Sequence, residues 1–302
     1  MPEVSISDRA TLGTAQSVSP LGSWNSRIGW GAAIIVALLA AIYYQVIGKL
    51  VVDWWQIPDF SHGLLVPPFA AFLIWEKRKT LLAIKPAPSW GGIAVMAFGI
   101  AVLLLGVYGA ELFLSRISLV ILLAGLVLYF GGHRFLIELR FPLLILILAI
   151  PLPSLILNQI TFPLQIFASK VASGLLPIFG VPVLREGNII ELPLMKLEVA
   201  EACSGIRSLM SLFTMAVFYG YIMEKSITRR VVLALASIPI AIAANVVRIL
   251  GTGLCVQYWD PDKAMGFFHE FSGWVIFLVS LVCLFAVHRT MILFSKKRRR
   301  AL

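Results

Sequence analysis

The stretch NQITFPLQIFASKVASGLLPIFG, residues 158–180, is apolar but interrupted by Pro163, Lys170 and Pro177. Whether it crosses a bilayer decides the topology of everything around it. Apolar runs of roughly 20 residues, the length that spans a hydrocarbon core, lie near 28–50, 62–76, 90–110, 117–131, 141–157, 205–223, 231–252 and 272–294. With 60% hydrophobic and only 13% charged residues, and a mean hydropathy of +0.93, the composition is far from the soluble average. The chain reads as an all-α polytopic membrane protein of about eight transmembrane helices.

Basic residues stay on the cytoplasmic side of a membrane, and here they cluster as EKRK (76–79), HR (133–134), EKSITRR (224–230) and SKKRRR (295–300). All four clusters fall inside only if the N-terminus is cytoplasmic, eight helices cross and 158–180 does not. That arrangement places 17 of the 25 basic but only 5 of the 15 acidic residues inside. The segment 158–180 is therefore expected to be an amphipathic helix or a re-entrant hairpin at the outer interface, with Lys170 reaching water. Residues 1–27 are polar, Ser-rich and of mixed charge, which predicts a disordered cytoplasmic tail and not a cleaved signal peptide. Residues 28–294 form the membrane domain, and 295–302 a basic cytoplasmic tail. Because the basic surplus follows orientation, the partner it implies is membrane lipid and not nucleic acid.

Three reactive side chains collect on the predicted outer face. Cys203, in EACSGIRSL (201–209), sits at a helix start, where unpaired N–H groups and the dipole lower a thiol pKa. Ser204 is placed to cap that end, and Gly205 leaves room for a substrate backbone. The plainer alternative is a helix start that happens to hold an inert cysteine. Arg248, in AIAANVVRILGTG (241–253), interrupts an apolar run, where a guanidinium costs about 2.5 to 3.5 kcal/mol near the bilayer centre. Asn245 shares its helix face. The alternative for Arg248 is a side chain that snorkels to the headgroups. His269, in GFFHEFSGW (266–274), is a general acid or base at the boundary, or one member of an aromatic belt. His62, in PDFSHGLL, is a secondary candidate, while His133 and His288 belong to the inner side. Together, a thiolate, a guanidinium and an imidazole suffice for acyl transfer: nucleophile, oxyanion stabiliser and proton carrier.

Cys255 and Cys283 fill apolar space. With no CxxC or zinc spacing among three cysteines, neither a disulfide framework nor a metal site is indicated, and no cofactor is expected. Between 181 and 200, the turn residues Glu186, Gly187 and Asn188 are followed by alternation of Met195, Leu197 and Val199 with Lys196 and Glu198, which predicts a small β-hairpin leading into Cys203.

EACSGIRSL, NVVRI and HEFSG, in this order and on successive outer helix ends, resemble the exosortase and archaeosortase family of membrane transpeptidases. DFSHGLLVPPFAAFLIWEKR and GNIIELP fit the same family. The resemblance implies catalytic roles for Cys203, Arg248 and His269, with a histidine at 269 closer to the bacterial branch. It further implies substrates that are secreted proteins with C-terminal sorting tails: a Pro-Glu-Pro-like motif, a transmembrane helix and a basic cluster. Such tails are cut at the outer face of the cell membrane and the acyl group passed to a cell-surface acceptor. Arg207 is then a candidate to bind a carboxylate of the motif, and Asn245 to orient Arg248. Some members carry a soluble C-terminal domain, which is not expected after KKRRRAL. The rival from another class is a non-enzymatic transporter or scaffold of polysaccharide export. Transporters gather intramembrane charge near the midplane, whereas the polar groups here gather at the outer edge.

Overall fold

The structure is a computed structural model and describes residues 20–199, 205–259 and 267–300, with side chains at 30–199, 205–259 and 271–294. Two compact units divide after Gln45. In the first, residues 1–45, the described part is the beginning of helix α1 (Pro20–Gln56), whose Trp30, Ile34, Val36 and Leu38 are exposed, as suits lipid contact.

Among the described residues, the second unit holds the rest of α1 and nine more helices in chain order: α2 (Val66–Glu76), α3 (Arg78–Ala83), α4 (Gly91–Tyr108), α5 (Leu112–Phe130), α6 (His133–Ile145), α7 (Ser154–Leu175), α8 (Gly205–Met223), α9 (Ile227–Tyr258) and α10 (Phe267–Arg300), with 3-10 turns at Pro58–Leu65, Leu146–Ala149 and Leu176–Phe179. Among the described residues, seven helices are long and apolar enough to cross a membrane: Trp30–Gln56, Gly91–Tyr108, Leu112–Phe130, Ser154–Phe179, Gly205–Met223, Ile227–Tyr258 and Phe271–Phe294. The class is that read from the sequence, an all-α polytopic membrane protein.

Two expected runs are not continuous. The run over 62–76 divides into the 3-10 turn Pro58–Leu65 and the 11-residue α2. The cause is packing: the Trp54 indole donates to the Ala149 carbonyl at 2.7 Å and lies so close to Gly63 that any Cβ there would overlap it. The run over 141–157 divides because α6 tightens into Leu146–Ala149 and the chain then extends through Pro151 and Pro153, which cannot continue a helix. Apolar composition does not report such breaks.

Residues 158–180 lie in α7 and the turn after it, so the re-entrant hairpin is not formed; Pro163 sits inside the helix. By length and composition this helix qualifies to cross. Its second half carries a three-stranded antiparallel sheet of β1 (Leu184–Glu186), β2 (Ile189–Glu191) and β3 (Lys196–Glu198), one strand more than the hairpin expected. Gly187, at φ +64°, makes the first turn, and its carbonyl accepts from Ser169 Oγ at 2.9 Å. Ala168 and Ala172 of α7 and Leu176 of the turn after it join Ile190 and Leu197 of the sheet, Val199 just past β3, and Val246, Ile249 and Val256 of α9 in one core. The other face of the sheet exposes Lys196 and Glu198, with the Lys196 ammonium paired to Glu191, which holds the lysine pKa above its ordinary value. Open sheet edges are not tolerated in hydrocarbon. The sheet-bearing half of α7 therefore belongs at the polar boundary, where exposed Lys170 also points.

Helices α4 and α5 are held by glycine. Gly92, Gly99 and Gly106 recur every seven residues on α4, and a Cβ at Gly99 would come within 3.1 Å of the Leu122 backbone nitrogen. Small residues let two helix backbones approach where no hydrophobic force separates lipid from protein.

Candidate active site

Helix α8 starts at Gly205, and that start is pressed against the middle of α9: a Cβ at 205 would lie 3.1 Å from Cγ and Nδ2 of Asn245. One turn further on α9, Arg248 faces the last helix, where a Cβ at Gly273 would lie 3.3 Å from Nη2 and 3.4 Å from Cζ of the guanidinium. Two glycines thus make the sockets for two polar side chains. Both are buried, Asn245 at 8% and Arg248 at 7% exposure, which removes the snorkelling alternative for Arg248.

Helix α9 continues ten residues beyond Arg248, farther than the sequence predicts. Its 32 residues measure about 48 Å, against about 30 Å of hydrocarbon. The excess adds Ile249 and Val256 to the core shared with the sheet and ends with Tyr258 Oη donating to the Phe179 carbonyl at 2.6 Å. Counted from the end bearing Arg229 and Arg230, Arg248 falls about 30 Å along the axis, a distance of one hydrocarbon thickness. A crevice of about 380 Å³, counting its open mouth, runs along α7, α8 and α9 at this level and is lined by Thr161, Gln165, Gly205, Ile206, Leu209 and Asn245.

On the other side of the first turn of α8, Arg207 Nε stands 3.4 Å from Asp59 Oδ1 in the 3-10 turn Pro58–Leu65. Arg207, half exposed, already has an acidic partner in the chain. Next to it His62 is buried, its Nε2 3.2 Å from the Leu148 carbonyl, so Nε2 carries the proton. Among the described residues its Nδ1 makes no hydrogen bond, and the residue lines a small crevice with Phe60, Leu157 and Met210. A second pair, Arg116 with Asp53, ties α5 to the end of α1. Sequence reasoning singles out neither pairing; an arginine inside LFLSRISLV is the available signal for the second.

Cys203 and Ser204 lie outside the described residues. His269 lies in the first turn of α10, four residues before Gly273, and its side chain is outside the described set. The sequence candidates that the structure brings together are thus Gly205 with Asn245, and Arg248 with the turn that follows His269.

The far end of α8 holds a separate polar cluster. Tyr219 Oη is 2.6 Å from His288 Nδ1, His288 Nε2 is 2.9 Å from Glu224 Oε1, and Arg229 Nη1 donates to the same oxygen at 3.1 Å. The 19 residues of α8 span about 28 Å, so the two clusters sit one hydrocarbon thickness apart.

Apolar helices enclosing a buried arginine and asparagine at one boundary define a multi-pass membrane protein with a polar site at its surface level. The chain belongs to the transmembrane exosortase family, whose family model matches residues 54–286. It is a family of membrane transpeptidases. No curated protein and no solved structure matches the chain.

Proposed function

We propose that this chain is a cysteine-dependent transpeptidase that cleaves the C-terminal, Pro-Glu-Pro-type sorting tails of secreted proteins at the outer face of the cell membrane and transfers them to a cell-surface acceptor. The observation that carries this reading is the buried Arg248, packed on Gly273 and one turn from Asn245, which touches Gly205. Position 203 is two residues before Gly205, a chain reach of at most about 7 Å, and His269 is one helical turn before Gly273.

In this mechanism the Cys203 thiolate attacks the scissile carbonyl and the S–C bond forms. The developing oxyanion is met by the Arg248 guanidinium, which Asn245 orients. The C–N bond then breaks, His269 delivers a proton to the departing amine, and a thioester remains. A hydroxyl or amine of the acceptor attacks that thioester and gives its proton to the now neutral His269, the C–S bond breaks, and the thiolate and imidazolium are regenerated. Ser204 caps the helix start and Gly205 keeps it open, while Arg207, with Asp59 beside it, is a carboxylate-binding candidate at the rim. The tail's apolar span packs laterally against the helices. Lys225, Arg229 and Arg230 at the other end of α8 and α9 support an outward orientation of this end.

Replacing Cys203 by Ala is expected to abolish tail processing while the protein still inserts and folds. Normal processing by that variant would end the nucleophile assignment.

A further inference from the structure

The sheet leaves one edge open in a regular way. Two hydrogen bonds bracket the β2–β3 ladder, Leu192 N–H to the Met195 carbonyl at 2.9 Å and Val199 N–H to the Asn188 carbonyl at 3.0 Å. Bonded pairs of an antiparallel ladder recur every second residue, so Leu197, opposite Ile190, is the bonded pair between them. Lys196 and Glu198 therefore turn their backbone N–H and C=O groups away from β2. Among the described residues nothing hydrogen-bonds to these four groups. Both residues are exposed, while Leu197 and Val199 are fully buried, so the strand is anchored on one face and open along its edge. The opposite edge is poorer: β1 turns only Arg185 outward and packs against α7.

We propose that this edge of β3 docks the substrate: the extended polypeptide next to the scissile bond adds as a fourth strand, pairing its backbone with Lys196 and Glu198. This rests on Cys203 as nucleophile, five residues after Glu198 in the same chain segment. Donors and acceptors repeating every two residues, about 6.7 Å, match an extended peptide and neither a glycan nor an acyl chain. Main-chain pairing supplies affinity with little demand on side chains and sets the register that delivers one carbonyl to the cysteine. A three-residue edge bearing Lys and Glu is also a common protection against aggregation, and the test separates the two roles.

In isolated membranes holding the full chain, a synthetic peptide spanning the sorting motif is cleaved by the wild-type enzyme after single N-methylation at each position in turn. Losses of about tenfold or more are expected at alternate positions, i and i+2, with the positions between them spared. In the enzyme, Glu198→Pro removes an outward N–H without touching the ladder, and its kcat/KM is expected to fall about tenfold below that of Glu198→Ala, mainly through KM. The Cys203 alkylation rate reports whether the site is still assembled. An N-methyl profile without two-residue periodicity, or equal activity of the Pro and Ala variants, overturns the proposal. Failure of the underlying reading looks different: Cys203→Ala would then process normally.

Discussion

Arg248 is a residue whose surroundings state what it needs. A guanidinium seated on a glycine backbone is held as a plane, and a planar fork can meet an oxyanion with two donors, whereas an ammonium is a point charge on a flexible stem. Arg248→Lys is therefore expected to lower the acylation rate about 100-fold, the usual cost of an oxyanion donor, with the protein still folded. Equal activity would reduce the role to charge. Arg248 and Asn245 are legible in the sequence because a charge or an amide inside an apolar run is anomalous without any knowledge of neighbours. Asp59 with Arg207 and Asp53 with Arg116 are not, because the partners are 148 and 63 residues apart and only the folded chain brings them together.

At the scale of elements, periodicity and apolar length find the helices but not their interruptions. The 3-10 turn Pro58–Leu65 passes into α2 without a basic cluster between them, and the Trp54 contact that shapes it lies outside the segment. The sheet is partly legible, since Gly187 and the alternation after it mark a hairpin, yet β2 is only three residues and offers no period to count. The glycines at 92, 99 and 106 are a signal available in the sequence that acquires meaning once α5 is seen against them. Gly99→Leu is expected to wedge α4 from α5 and cost about 1–3 kcal/mol, as overpacking does. Ile100→Leu, on the exposed side, changes little. Thermal unfolding in detergent reads the difference, and equal midpoints would mean the glycine seam does not hold the pair.

For the whole molecule, sidedness is the property that most of the chemistry depends on. Positive charge at Lys225, Arg229 and Arg230, and the sheet at the other end of α8 and α9, make opposite accessibilities the expected result. In a background without native cysteines, Lys196→Cys is expected to react with a membrane-impermeant maleimide in intact cells, and Lys225→Cys only after permeabilisation. The reverse pattern would place the site in the cytoplasm and remove access to secreted tails. Charge bias is what carries this expectation in the sequence. The number of crossings is less so, because α7 is apolar enough to span and only its contact with the sheet ties its second half to the boundary.

The surplus length of α9 has a consequence for how the protein answers to its lipid. Arg248 lies about one hydrocarbon thickness from the basic end of a helix that is about a dozen residues longer than the core needs. Thickness becomes a control variable. In vesicles of stepped acyl-chain length, longer chains are expected to draw the guanidinium toward oil and slow turnover well before the fold yields. A rate independent of chain length would mean that the protein shields this arginine from the surrounding lipid.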